Sequence, residues 1–188
     1  RRDSVKIMVD GVVENRTALL TEPYEGSTPG CACGPDHGLA YFDVEVLDAM
    51  AVACDAAGLD LHFHAIGDRA VHVALNAVER ARLANGVTRG RHHIAHIQLI
   101  DPLDIPRFAH LDVTANMQAL WACNDDQMRE LVHPAIGSAR YDQQYPFADL
   151  LAAGTRLAMG SDWPVSTPDP WAAISVAVNR TEPGSTSN

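Results

Sequence analysis

The sequence predicts an α/β fold: about five parallel strands with helices on the outer face. Three observations predict it. Short apolar runs alternate with stretches of helical periodicity along the whole chain. Several of the strand-like runs end in residues that carry chemistry, above all His64, His96 and Asp162. The chain has 188 residues, enough for one domain with a sizeable core.

The first strand is Val5-Lys6-Ile7-Met8-Val9, closed by the turn pair Asp10-Gly11. It carries a lysine inside an apolar run and reads as buried, where a lysine needs a partner. Lys6 is also the only lysine among 14 Lys and Arg residues. The plain alternative is an edge lysine whose head reaches water. Residues 14–42 are rich in Gly and Pro and read as a long irregular loop, a candidate lid. Asp43 is a plausible N-cap for a helix over 44–57, which Gly58 ends.

The second strand, 59–64, contains Leu61-His62-Phe63-His64. Alternation sends His62 and His64 to one face, Leu61 and Phe63 to the other. A helix follows from Gly67 or Asp68, with Val71, Ala74, Leu75 and Val78 as its apolar stripe, and Asn85-Gly86 stops it. The third strand, within 91–98, also ends in a histidine, His96. Asp101-Pro102 reads as the opening of a short helix. The fourth strand is 112–118, and a loop and helix follow to about residue 133. Phe147 to Ala153 is a helix stopped by Gly154. The fifth strand runs over 156–162 and ends in Asp162, and Pro170 starts a last helix to about Val178.

Composition excludes several classes. The net charge is −10 with no basic run, so nucleic acid is not an expected partner. No apolar run approaches a membrane span. The four cysteines do not suggest a disulfide framework, so a reducing cytoplasm is expected. Cys31-Ala32-Cys33 with His37 has too short a spacing for the usual structural zinc clip. No Gly-x-Gly-x-x-Gly follows a strand, which argues against a doubly wound nucleotide-binding domain.

Four strands thus carry a residue that can hold a metal: Lys6, His64, His96 and Asp162. Imidazole and carboxylate suit zinc and its neighbours. A neutral buried amine can add carbon dioxide to become a carbamate, which then acts as a carboxylate. Taken singly, each histidine reads better as a satisfied core residue, and Asp162 as a turn cap. Four such residues at one pattern of strands are hard to ascribe to chance.

The residues that complete the picture are Val5 to Gly11, His62 to Ala70, Arg91 to Gln98, and Gly160 to Val165, with Asn179-Arg180 after the last helix. On these the chain resembles the amidohydrolase superfamily, in the branch that includes N-substituted formamide deformylases. The resemblance implies a (β/α)₈ barrel of which residues 1–180 supply strands four to eight, with 181–188 as a polar tail. It implies Lys6 as a carbamylated bridging ligand, His64 and His96 as ligands, and Asp162 as ligand and proton shuttle. His62, Arg69, Gln118 and Trp163 are then candidates to line the pocket or orient the ligands. One or two divalent ions, zinc first, are the implied cofactor, and a small amide the implied substrate.

The family's first-strand His-x-His pair has no counterpart, its Glu before the strand-six histidine is Ala95, and its Pro after the glutamine is Ala119. A non-catalytic half-barrel is therefore the competing expectation. Self-association through an exposed barrel edge is expected either way.

Overall fold

The structure is a computed structural model that describes residues 4–26, 36–86 and 90–184. Cys31, Cys33 and residues 185–188 of the tail lie outside the described residues. Five strands form one sheet: β1 Ser4–Met8, β2 Asp60–Ala65, β3 His93–His96, β4 Thr114–Met117 and β5 Leu157–Met159. All pairs are parallel, and the spatial order is the chain order, β1-β2-β3-β4-β5. A doubly wound sheet reverses direction part-way. This one never does, as in a barrel laid open, so the expected fold class stands.

The helices are α1 Val44–Ala56, α2 Asp68–Asn85, α3 Ile105–His110, α4 His133–Tyr141, α5 Phe147–Ala152 and α6 Pro170–Asn179. α1 and α2 pack on each other and on β2. The stripe predicted for α2 is its buried face: Val71, Ala74, Leu75 and Val78 are fully buried.

Two elements differ from expectation. Asp101 does not open the helix. Its carboxylate accepts from Leu103 N at 2.8 Å in a local turn, and α3 starts four residues later. The segment after β4 is also more broken than a loop and one helix. A 3₁₀ turn at Ala119–Ala122 and a π-helical turn at Met128–Val132 precede α4, which bends at Gly137 with φ +73°.

Parallel pairing places register partners on the same face. Lys6 pairs with His62, His62 with His93, and His93 with Thr114. One row therefore crosses the face that the helices leave uncovered, here called the inner face. The alternate residues Ile7, Phe63, Ile94, Ala115 and Met117 are all buried on the helix side. They carry the core, on the order of 2 kcal/mol for each large side chain removed from water.

The first residue predicted as buried is not. Lys6 is exposed, because β1 is an edge strand whose inner face none of the described residues covers. Met8, one register step on, is 40% exposed for the same reason. The first part of the long loop, by contrast, is packed: among its described residues Ala18, Leu19, Leu20 and Tyr24 are buried.

Candidate functional site

Strands β2 and β3 bring histidines together. The rings of His64 and His96 stand edge to face with centroids 4.4 Å apart. One step deeper, His62 and His93 stack at 4.1 Å. Burial keeps all four neutral. It pulls His62 down to about 4 and His96 down to about 3, and lowers His64 and His93 from the ordinary imidazole value. Neutral imidazoles are the form that binds a metal.

His64 is oriented by its backbone surroundings. Its Nε2–H donates to Gly11 O at 3.0 Å, which leaves Nδ1 with the free lone pair. A ring nitrogen tied to a carbonyl while the other faces a ligand is the usual arrangement of metal-binding histidines.

His96 reaches the site by a backbone device. Strand alternation would send it to the helix side with Ile94. Instead His96 has φ +80° and Ile97 φ +50°, two consecutive left-handed residues. Non-glycine residues rarely adopt this conformation, and such outliers gather at functional sites. The turn brings the imidazole beside His64 and under Trp121, whose ring lies parallel to it at 4.7 Å. Its Nδ1 is buried and has no hydrogen-bond partner.

Asp162, also left-handed at φ +52°, is half-buried at the exit of β5. Its charge reaches His62 and His64, as does that of Lys6. Gln118 is 4% exposed, and its Nε2 bonds Asn116 Oδ1 at 3.4 Å. Two other expected residues stand apart. Arg69 is exposed on the first turn of α2, and Trp163 is 70% exposed. Among the described residues, no three His, Cys, Asp or Glu side chains stand closely enough to hold a metal ion by themselves. The histidine pair is assembled; Asp162 is in electrostatic range but not in the same cluster.

The structure adds three residues that sequence reasoning passed over. His93 was visible only as part of a motif, and its register opposite His62 places it on the inner face. Trp121 follows β4 in a segment with no clear periodicity. Asp10 read only as half of a turn signal. It is fully buried, and burial raises its carboxyl to about 7 against the pull of the backbone N–H groups of Gly67, Leu19, Ile66 and Asp10 itself. Beside the histidines lies a cleft of about 560 Å³, lined by Ile66, Gln98, Trp121, Met128 and the acidic Glu14 and Asp125. Among the described residues no helix is long and apolar enough to cross a membrane.

Known proteins resemble this chain in sequence and in fold. The chain is 35% identical over 180 residues to the Arabidopsis thaliana protein LONG AFTER FAR-RED 3, covering 95% of this chain and 29% of that one. It is 31% identical over 178 residues to the putative amidohydrolase YtcJ of Bacillus subtilis, covering 94% and 31%. The chain thus spans about a third of the length of these curated relatives. Among solved structures, an uncharacterized metal-dependent hydrolase from Pyrococcus furiosus superposes with a TM-score of 0.77 at 30% identity, over 97% of this chain and 36% of that one. One from Pyrococcus horikoshii superposes with a TM-score of 0.78 at 29% identity, over 95% and 33%. The description Amidohydrolase family matches residues 1–186, so this chain belongs to the Amidohydrolase family.

Proposed function

We propose that this chain is the carboxyl-terminal part of a metal-dependent hydrolase that cleaves the carbon–nitrogen bond of small non-peptide amides. The N-substituted formamides are the substrate class to try first, on the strength of the motifs around His64 and Asp162. The observation that carries the reading is the His64–His96 pair: two neutral rings 4.4 Å apart at adjacent strand exits. The buried, unpartnered Nδ1 of His96 is a donor atom that the protein itself does not use. The free Nδ1 of His64 is a second. Nitrogen donors of this kind fit a divalent ion, zinc first among them.

His64 and His96 would hold that ion, with Asp162 and a carbamate on Lys6 as further ligands. When bound, a divalent ion lowers the pKa of water from 15.7 to about 7 and polarises a carbonyl. The chain's own residues do the rest. Asp162 takes the proton from the attacking water and delivers it to the leaving nitrogen, base and then acid. Trp121 stacks on the His96 ring and itself lines the cleft that would receive the acyl or amine substituent. An exposed Lys6 amine is open to carbon dioxide, and carbamylation replaces its positive charge by a carboxylate.

A second reading has an observation in its favour. Since no three ligands cluster among the described residues, the chain alone does not complete a tight site and would be a non-catalytic half-barrel. The open edges of β1 and β5 would then favour self-association. Zinc titration by calorimetry separates the two, using the chain beside His64→Ala and His96→Ala. The proposal expects measurable binding that each variant loses at least tenfold. Equal binding by all three removes the histidine pair from the site. Turnover of N-substituted formamides by the full-length protein tests the substrate.

A further inference from the structure

We propose that Asp10 is a positioning residue for His64: its carboxylate fixes which ring nitrogen is left free to face a ligand. The proposal rests on reading His64 as a metal ligand. Asp10 is 0% exposed, although an isolated buried carboxylate is expensive. Backbone N–H groups offset part of that cost. Oδ1 accepts from Ile66 N at 3.0 Å, and Oδ2 accepts from Leu19 N at 2.9 Å and Gly67 N at 2.8 Å. These donors come from two segments that the sequence separates widely. One is the exit of β2, directly after His64. The other is the loop that follows Asp10 itself.

The knot tolerates no extra atoms. A Cβ at Gly67 would lie 2.0 Å from Leu19 O. Gly67 therefore has to be glycine for Asp10 to reach its N–H. The residue next to Asp10 is Gly11, and its carbonyl takes the Nε2–H of His64 at 3.0 Å. Holding Asp10 thus holds the carbonyl that orients the ring. The carboxylate also acts on the ring directly, because Oδ1 lies 3.7 Å from His64 Nε2. An acceptor at that distance favours the proton on Nε2 and leaves the lone pair on Nδ1. Asparagine could not substitute. It would supply one oxygen for three donors and turn an NH₂ group toward an N–H.

The test compares Asp10→Asn with Asp55→Asn, a buried carboxylate on the opposite side of the sheet. In the metal-free full chain labelled with ¹⁵N-histidine, wild-type His64 should be the Nε2–H tautomer by NMR. Asp10→Asn should mix the tautomers and lower zinc affinity by about 10–100-fold, the usual loss when a ligand's orienting partner is removed. Asp55→Asn should leave both readings of His64 at their wild-type values. Three results overturn the proposal: wild-type His64 protonated on Nδ1, Asp10→Asn with wild-type tautomer and affinity, or an equal effect from Asp55→Asn. If Asp10→Asn does not fold, the wild-type tautomer alone decides. Wild-type zinc affinity in His64→Ala would instead sink the metal reading and leave the tautomer assignment standing.

Discussion

His92 and His93 are neighbours in the chain and do opposite work. His92 is 0% exposed on the helix side. Its Nδ1 accepts from Leu61 N at 3.0 Å, and its Nε2–H donates to Asp55 Oδ1 at 2.9 Å. Every polar atom is spent on joining α1, β2 and β3. His93 faces the other way, half-buried, stacked on His62 and in loose contact with Asn116 at 3.3 Å. The difference shows how one strand divides labour. The face covered by helices consumes its hydrogen-bonding capacity in stability. The uncovered face keeps capacity unspent, as the unpartnered Nδ1 of His96 shows.

That contrast can be broken in three ways. The largest effect is expected from Phe63→Ala, which hollows the helix side at a residue 0% exposed. It should cost about 3–5 kcal/mol in urea unfolding. Met8→Ala, 40% exposed on the inner face, should stay within about 0.5 kcal/mol. Comparable costs would mean that the inner face is as much a core as the outer.

His92→Ala comes next. It leaves the buried Asp55 carboxylate short of a donor and should cost about 1–3 kcal/mol. His93→Ala should cost less than half of that by the same measurement.

The smallest effect is one of pH. Burial lowers the pKa of His92, so the folded state disfavours its proton. For a base whose folded pKa is depressed, the unfolded chain binds the proton first. The stability it contributes is present above the ordinary imidazole value of 6.5 and is lost as pH falls below it. His92→Gln should therefore flatten the acid limb of the stability curve below pH 6.5. An unchanged limb would assign the acid sensitivity to other groups.

Much of this division was legible in the sequence. The parallel strands followed from their alternation with helices, and the α2 stripe from its 3.6 period, because both reflect burial against helices that this chain itself supplies. Lys6 misled for a physical reason. An apolar run looks the same whether its second face is covered or open, and here it is open among the described residues. His96 was found as a candidate, yet the route to its position was not. Periodicity puts it on the wrong face, and only two left-handed residues correct that. Asp10 was hidden because a turn aspartate and a buried triple acceptor share one local signature. What distinguishes them is Ile66, more than fifty residues away.

The paired left-handed backbone at His96 and Ile97 has an outcome for anyone who improves this protein by selection. Glycine adopts that conformation freely, and strain of this kind is worth about 1–3 kcal/mol per residue. His96→Gly would relieve that strain but would also empty the space of a ring that is 2% exposed and lies against Trp121 at 4.7 Å, a loss of about 2–5 kcal/mol for a large buried side chain. A screen for heat resistance would therefore keep His96 even in the absence of metal, and packing alone is enough to hold the strained turn.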